Sequence, residues 1–145
     1  MTDLALSLVI RWARPDDASL AFISVGIPET VVRTRIAERC IAVAEHIAHP
    51  VGALQLEYLW GTRPYIAMIR VEPEFQRRGV GRALLAFVES SLCAEGYDAL
   101  LSSSQENEPE PQTWHRRMGF VECGLLTGIN EGGVGEIFFR KRLTA

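Results

Sequence analysis

No run of apolar residues in this 145-residue chain approaches the roughly 20 needed to cross a bilayer, so no membrane partner is expected. The segment Met1–Ile10 carries Asp3, lacks a basic leader and breaks its apolar run too early for a signal peptide. Cysteine is scarce and odd in number. Cys40, Cys93 and Cys123 show neither C-x-x-C nor Cys/His spacing, which leaves no metal site and predicts buried free thiols in a reducing cytoplasm. There is no basic excess either: 15 Lys and Arg against 18 Asp and Glu give a net charge of −3, which argues against a broad nucleic-acid footprint. Internal repeats and low-complexity tracts are absent. What remains is an ordinary globular composition, 48% hydrophobic and 23% charged, at a length that predicts one domain over 1–145.

The most informative stretch is Gln76-Arg77-Arg78-Gly79-Val80-Gly81. Before it, Ile66 to Val71 is β-branched and apolar, and Glu72-Pro73 ends the run. After it, Val80, Leu84, Phe87, Val88 and Leu92 recur at helical spacing. Two glycines therefore stand at the first turn of a helix, where unpaired N–H groups and the positive end of the helix dipole attract an anion. Glycine lets such a ligand approach the main chain, so a phosphorylated guest is expected. A Walker loop is excluded, because Gly81 is followed by Arg82-Ala83 rather than Lys-Ser/Thr. A dinucleotide fingerprint would want a small residue where Leu84 stands.

Along the chain, Leu8–Trp12 reads as a strand, and Arg14-Pro15-Asp16-Asp17 as a turn and N-cap for a helix from about Ala18. A second helix starts at Glu29-Thr30, with Val31, Val32, Ile36, Ala37 and Cys40 on its apolar positions. Strands over Ile41–Ile47, Val51–Trp60 and Tyr65–Glu72 should form a meander, turning at His49-Pro50 and Gly61–Pro64. Gly96-Tyr97-Asp98 stops the cradle helix and feeds a strand Ala99–Ser103. As a β-α-β crossover, that strand should lie parallel to Tyr65–Glu72. The polar loop Ser102–Pro111, a helix from Glu110 to Met118 capped by Gly119, and strands Phe120–Leu126 and Val134–Arg142 complete the order.

The Q-R-R-G-x-G stretch, its flanking strand and helix, and the later Trp114-His115-Arg116-Arg117-Met118-Gly119-Phe120 together resemble the GNAT superfamily of acyl-CoA N-acyltransferases, across Leu8 to Leu143. The resemblance implies an α/β fold: a mixed, mostly antiparallel sheet with a splayed parallel strand pair, flanked by helices. It implies acetyl-CoA as cosubstrate and no metal. It also implies transfer of an acetyl group to a primary amine, on a small molecule or a peptide, by direct attack; a homodimer stays open. Carried over residue by residue, it places the pyrophosphate on Gln76, Arg77, Arg78, Gly79, Val80, Gly81 and Arg82. The pantetheine arm falls on the main chain of Ile69 and Val71, and Asn107 lies close to a further coenzyme contact.

Direct attack needs a base for the amine and an acid for the leaving thiolate. The family's usual tyrosine acid is replaced by His115, which titrates near neutrality and is the candidate donor. The position of the family's glutamate base holds Tyr65. Glu57 is the best substitute, Glu136 the second, and a water relay the third. Trp114, His46 and His49 read as packing or turn residues. Glu106, Glu108 and Glu110 form an acidic loop able to attract a cationic amine. A non-catalytic acyl-CoA sensor on the same fold is the alternative reading.

Overall fold

In the computed structural model, which describes residues 6–144, the described residues form seven strands and four α-helices. Residues 1–5, part of the stretch read above as free of a leader, lie outside the described residues. The elements are β1 (Leu8–Trp12), α1 (Ala21–Ser24), α2 (Glu29–Ala37), β2 (Ile41–His46), β3 (His49–Leu59) and β4 (Arg63–Val71). They continue with α3 (Val80–Ala94), β5 (Ala99–Gln105), α4 (Pro109–Arg117), β6 (Val121–Leu126) and β7 (Glu136–Arg142). The strands run in the order β1-β2-β3-β4-β5-β7-β6. The β1–β2, β2–β3, β5–β7 and β6–β7 ladders are antiparallel; β4 and β5 are parallel, registered at Tyr65 against Leu101. This is the mixed, mostly antiparallel sheet with one parallel pair that the sequence predicts. Among the described residues, no helix is long and apolar enough to cross a membrane.

The chain divides into two compact units, Met1–Leu56 with Met68–Val88 and Glu57–Ala67 with Glu89–Ala145. In the first, Ile23, Val32, Ile36, Ile41, Val43 and Ala53 form an apolar cluster under α1 and α2. The first helix does not begin at Ala18 as expected. Pro15–Ser19 is a 3-10 turn, because Asp17 turns back to accept the Arg14 amide at 2.7 Å and is held by Arg11 at 2.7 Å. Gln55 is fully buried, and its two amide ends meet the Ile23 carbonyl at 2.8 Å and the Arg35 guanidinium at 3.1 Å. A buried amide is tolerated because it is bonded at both ends. Gly52 lets β3 approach β4: a Cβ there would stand 2.9 Å from the Arg70 carbonyl oxygen.

The β2–β3 turn also differs from expectation. Ile47 and Ala48, both at positive φ, make the corner, and His49-Pro50 open β3. Pro50 fits there because the β2–β3 register shifts between Ala44 and Glu45, next to Pro50's partner Glu45.

In the second unit, Leu92, Leu100, Phe120, Phe139 and Leu143 are buried. The β3–β4 corner is Trp60-Gly61, at φ 54° and 74°, rather than Gly61–Pro64; Arg63 and Pro64 already belong to β4. α4 starts at Pro109, whose fixed φ suits a first helical turn. β6 is exposed along its whole length, with Cys123 at the irregularity between Glu122 and Gly124. The expected burial of three thiols therefore holds for Cys40 alone: Cys93 is half-buried and Cys123 exposed.

Candidate functional site

The first unit contributes the glycine loop. After β4, Pro73–Phe75 turns once, Arg77 and Gly79 adopt φ of 61° and 88°, and α3 begins at Val80. Residue 79 needs glycine for its backbone angle, and nothing of the protein lies within 4 Å of where its Cβ would be. Val80 is buried and anchors the turn, so only its main chain is available to a ligand. Arg77, Arg78 and Arg82 are exposed at the start of a 15-residue helix, where the first amides have no partner within the helix, and Arg78 stacks over Phe75 at 5.6 Å. This is an arrangement for an anion with several charged oxygens. The Gln76 amide donates to the Val71 carbonyl at 3.1 Å, so one carbonyl assigned to the pantetheine arm already has a partner and Gln76 acts as a brace of the loop. Ile69 is half-buried in β4.

The second unit holds the chemistry-bearing side chains. β5 carries three consecutive serines, and strand alternation sends them to opposite faces. On one face, the Ser103 hydroxyl donates to Glu136 Oε2 at 2.6 Å and lies 2.6 Å from the Tyr65 hydroxyl. A serine has one proton to donate, so with Glu136 ionised the row reads Tyr65 to Ser103 to Glu136. The Asn130 amide donates to the other Glu136 oxygen at 3.0 Å. Burial raises the Tyr65 pKa; the Ser103 hydrogen bond lowers it, and the charges of Glu136 and Glu57 raise it again. The phenol thus stays protonated through neutral pH, and Glu57 is near enough to act on it.

On the opposite face, His115 is 4% exposed. Its Nε2 lies 2.6 Å from the Ser102 hydroxyl, its ring stacks on Phe139 at 4.7 Å, and Trp114 and Phe120 close its edges. Burial lowers its pKa, against the Pro111 carbonyl and Glu136, which raise it, and with Arg116, which lowers it further. Nδ1 makes no hydrogen bond of ordinary geometry. The candidate donor, expected on the helix face directed toward the coenzyme sulfur, is an enclosed ring, because α4 turns this residue onto Phe139. Asn107 is exposed in the loop that follows β5. The start of α4 is held to that loop by Gln112, which donates to the carbonyls of Gln105 and Glu106. Among the described residues, no group of three His, Cys, Asp or Glu side chains could hold a metal ion.

Sequence reasoning named Glu57 and Glu136 but missed the hydrogen bonds of Tyr65, Ser102 and Ser103. The available signal was the triple serine in a strand, since one face of such a strand must bury hydroxyls that then need partners.

A family model described as the acetyltransferase (GNAT) domain matches residues 37–122, more than half of the chain. No curated protein matches it. Among solved structures, Ard1 from Thermoplasma volcanium is similar at TM-score 0.85 and 16% identity, covering 97% of this chain and 100% of its own. The ribosomal-protein-S18-alanine N-acetyltransferase from Escherichia coli is similar at TM-score 0.78 and 18% identity, covering 95% of each. The NatC complex bound to Gag peptide and CoA contains a chain similar at TM-score 0.76 and 14% identity, covering 94% of this chain and 99% of that one. At these identities the likeness concerns the fold.

Proposed function

The chain belongs to the GNAT acetyltransferases, and from that membership we propose that it transfers the acetyl group of acetyl-CoA to the nitrogen of a primary amine. The observation that carries the reading is the Tyr65–Ser103–Glu136 row: a carboxylate, a hydroxyl and a protonated phenol in hydrogen-bond contact. The loop Gln76–Arg82 receives the pyrophosphate on its amides and guanidinium groups, with Ile69 and Asn107 as further coenzyme contacts. In this reading Glu136 takes the proton of the incoming ammonium, leaving a nitrogen lone pair that attacks the thioester carbonyl. The C–S bond breaks as the C–N bond forms. The proton on Glu136 passes through Ser103 to Tyr65 as Tyr65 protonates the thiolate, and the second nitrogen proton leaves to solvent. The products balance as amide, free thiol and one proton.

Glu57, the other carboxylate acting on Tyr65, holds the ammonium before it is deprotonated. The base therefore moves from Glu57 to Glu136, the carboxylate bonded into the row. His115 is a positioning residue that fixes Ser102 and so the orientation of β5. The test is release of free thiol from acetyl-CoA across a panel of amines, for the wild type and Ser103→Ala. Turnover that falls sharply in the variant with coenzyme affinity retained supports the row. Coenzyme binding without turnover of any amine rejects the enzymatic reading.

A further inference from the structure

Leu59, Trp60, Leu125, Leu126 and Phe138 line an open apolar cleft of about 430 Å³, all within the second unit. Its wall continues into the polar row, because Phe138 stacks on Tyr65 at 5.8 Å with the rings 24° apart. Leu59 stands two residues from Glu57 on β3, so strand alternation puts the two on one face. Gly135 brings a further carboxylate to the rim: a Cβ there would lie 2.5 Å from Glu106 Oε2 and 2.9 Å from Leu125 Cδ1. Against these acids stands Arg63, with its guanidinium over the Trp60 ring at 5.9 Å.

Trp60 is the telling residue. It occupies the first corner position of the β3–β4 hairpin at φ 54°, where asparagine or glycine is favoured and a bulky side chain is strained. The residue is 84% exposed, so burial within this chain does not compensate the strain. Strain held without a folding return gathers at ligand-binding positions.

We infer that the amine acceptor carries a compact apolar body, aromatic or branched aliphatic, seated on Trp60 and Phe138 with its ammonium toward Glu57 and Glu136. An apolar surface beside carboxylates is complementary to a monocation with a hydrocarbon end, and mismatched to a polyamine, which would lay a second charge on leucines. The inference rests on the acetyl-transfer reading above and adds the substrate class.

The test compares thiol release from acetyl-CoA with phenethylamine, isoamylamine, a leucine-initiated peptide amide and spermidine. The expected result is a kcat/KM for the apolar amines about tenfold or more above that for spermidine, the scale on which an apolar pocket discriminates. Trp60→Asn suits the left-handed corner, so its thermal midpoint should not fall, while KM for phenethylamine rises about tenfold and the preference over spermidine collapses. The peptide amide outrunning isoamylamine places the amine at a chain terminus, and the reverse places it on a free amine; both sustain the inference. Spermidine turned over as well as the apolar amines, or an unchanged preference in Trp60→Asn, overturns the inference and leaves acetyl transfer standing. Absence of turnover with every amine overturns both.

Discussion

The Tyr65 hydroxyl lies 2.6 Å from the Ser103 hydroxyl, and because Ser103 donates its own proton to Glu136, Tyr65 is the donor of that first contact. This order belongs to the ionised carboxylate and reverses once Glu136 carries the ammonium's proton, each hydroxyl turning to hand a proton toward Tyr65, so breaking the row should cost rate more than affinity.

Glu136→Gln keeps the shape and removes the base. Loss of a positioned general base costs about 100- to 10,000-fold in rate, so kcat should fall in that range with the coenzyme Kd little changed. Ser103→Ala should fall less far, because water can replace a hydroxyl. Steady-state kinetics on both variants, with calorimetry for the coenzyme, checks this; a Glu136→Gln loss below about threefold returns the base to Glu57 or to water.

Glu57→Gln separates holding the amine from deprotonating it. With Glu57 as the partner of the ammonium, the variant should raise the amine KM about tenfold and leave kcat within a few-fold, roughly the worth of one partly exposed charged hydrogen bond. A kcat fall of 100-fold at unchanged KM would make Glu57 the base.

The glycine loop gives a binding prediction independent of turnover. Gly81→Asp puts a carboxylate among amides proposed to meet phosphate and should remove most acetyl-CoA affinity. Gly79→Ala strains a backbone at φ 88° by about 1 kcal/mol and should weaken binding while the chain stays folded. Calorimetry with circular dichroism reads both, and unchanged affinity in the folded variants would exclude the cradle.

His115 makes stability depend on pH in a definite direction. Its folded pKa is lowered, chiefly by burial, below the unfolded value of about 6.5. Between those two values the unfolded chain binds a proton that the folded chain refuses. Its contribution is thus complete above about pH 6.5 and declines as pH falls toward the folded pKa. Urea midpoints should drop between pH 7.5 and 5.5 in the wild type, and less in His115→Phe. A parallel drop in both would place the titrating group elsewhere.

The Arg11–Asp17 pair has the same sign at lower pH. Burial raises the Asp17 pKa, but the hydrogen bonds from Arg11 and the Arg14 amide and the charges of both arginines bring it below the ordinary value. Its stabilisation is present above about pH 4 and is lost as pH falls through the folded pKa. Asp17→Asn leaves Arg11, already shared with Glu45, short of one charge partner. Breaking a largely buried pair costs about 3 kcal/mol, readable as a lower urea midpoint at pH 7; a shift under a tenth of that would make the pair a surface ornament.

Much of the fold was legible from sequence because its signals are local. Val80, Leu84, Val88 and Leu92 announce α3 by spacing alone, Gly79 and Gly81 mark its start, and the crossover through α3 dictates that β4 and β5 run parallel. The hairpin corners were misplaced by one to three residues, since Ile47, Ala48 and Trp60 hold left-handed angles that their side chains disfavour and no turn rule selects.

The hydrogen-bonded row was beyond sequence. Tyr65, Ser103 and Glu136 lie 38 and 33 positions apart along its two contacts. They meet because β4 registers Tyr65 against Leu101 while β7 registers Phe138 against Ser103 and Glu136 against Gln105. His115 was recognised as chemically able, but whether it faced a ligand or the core depended on how α4 packs in its unit. A glycine turn and a helix are decided by backbone preferences over a few residues. Which hydroxyl meets which carboxylate is decided by strand register, where a slip of one residue turns every side chain to the other face.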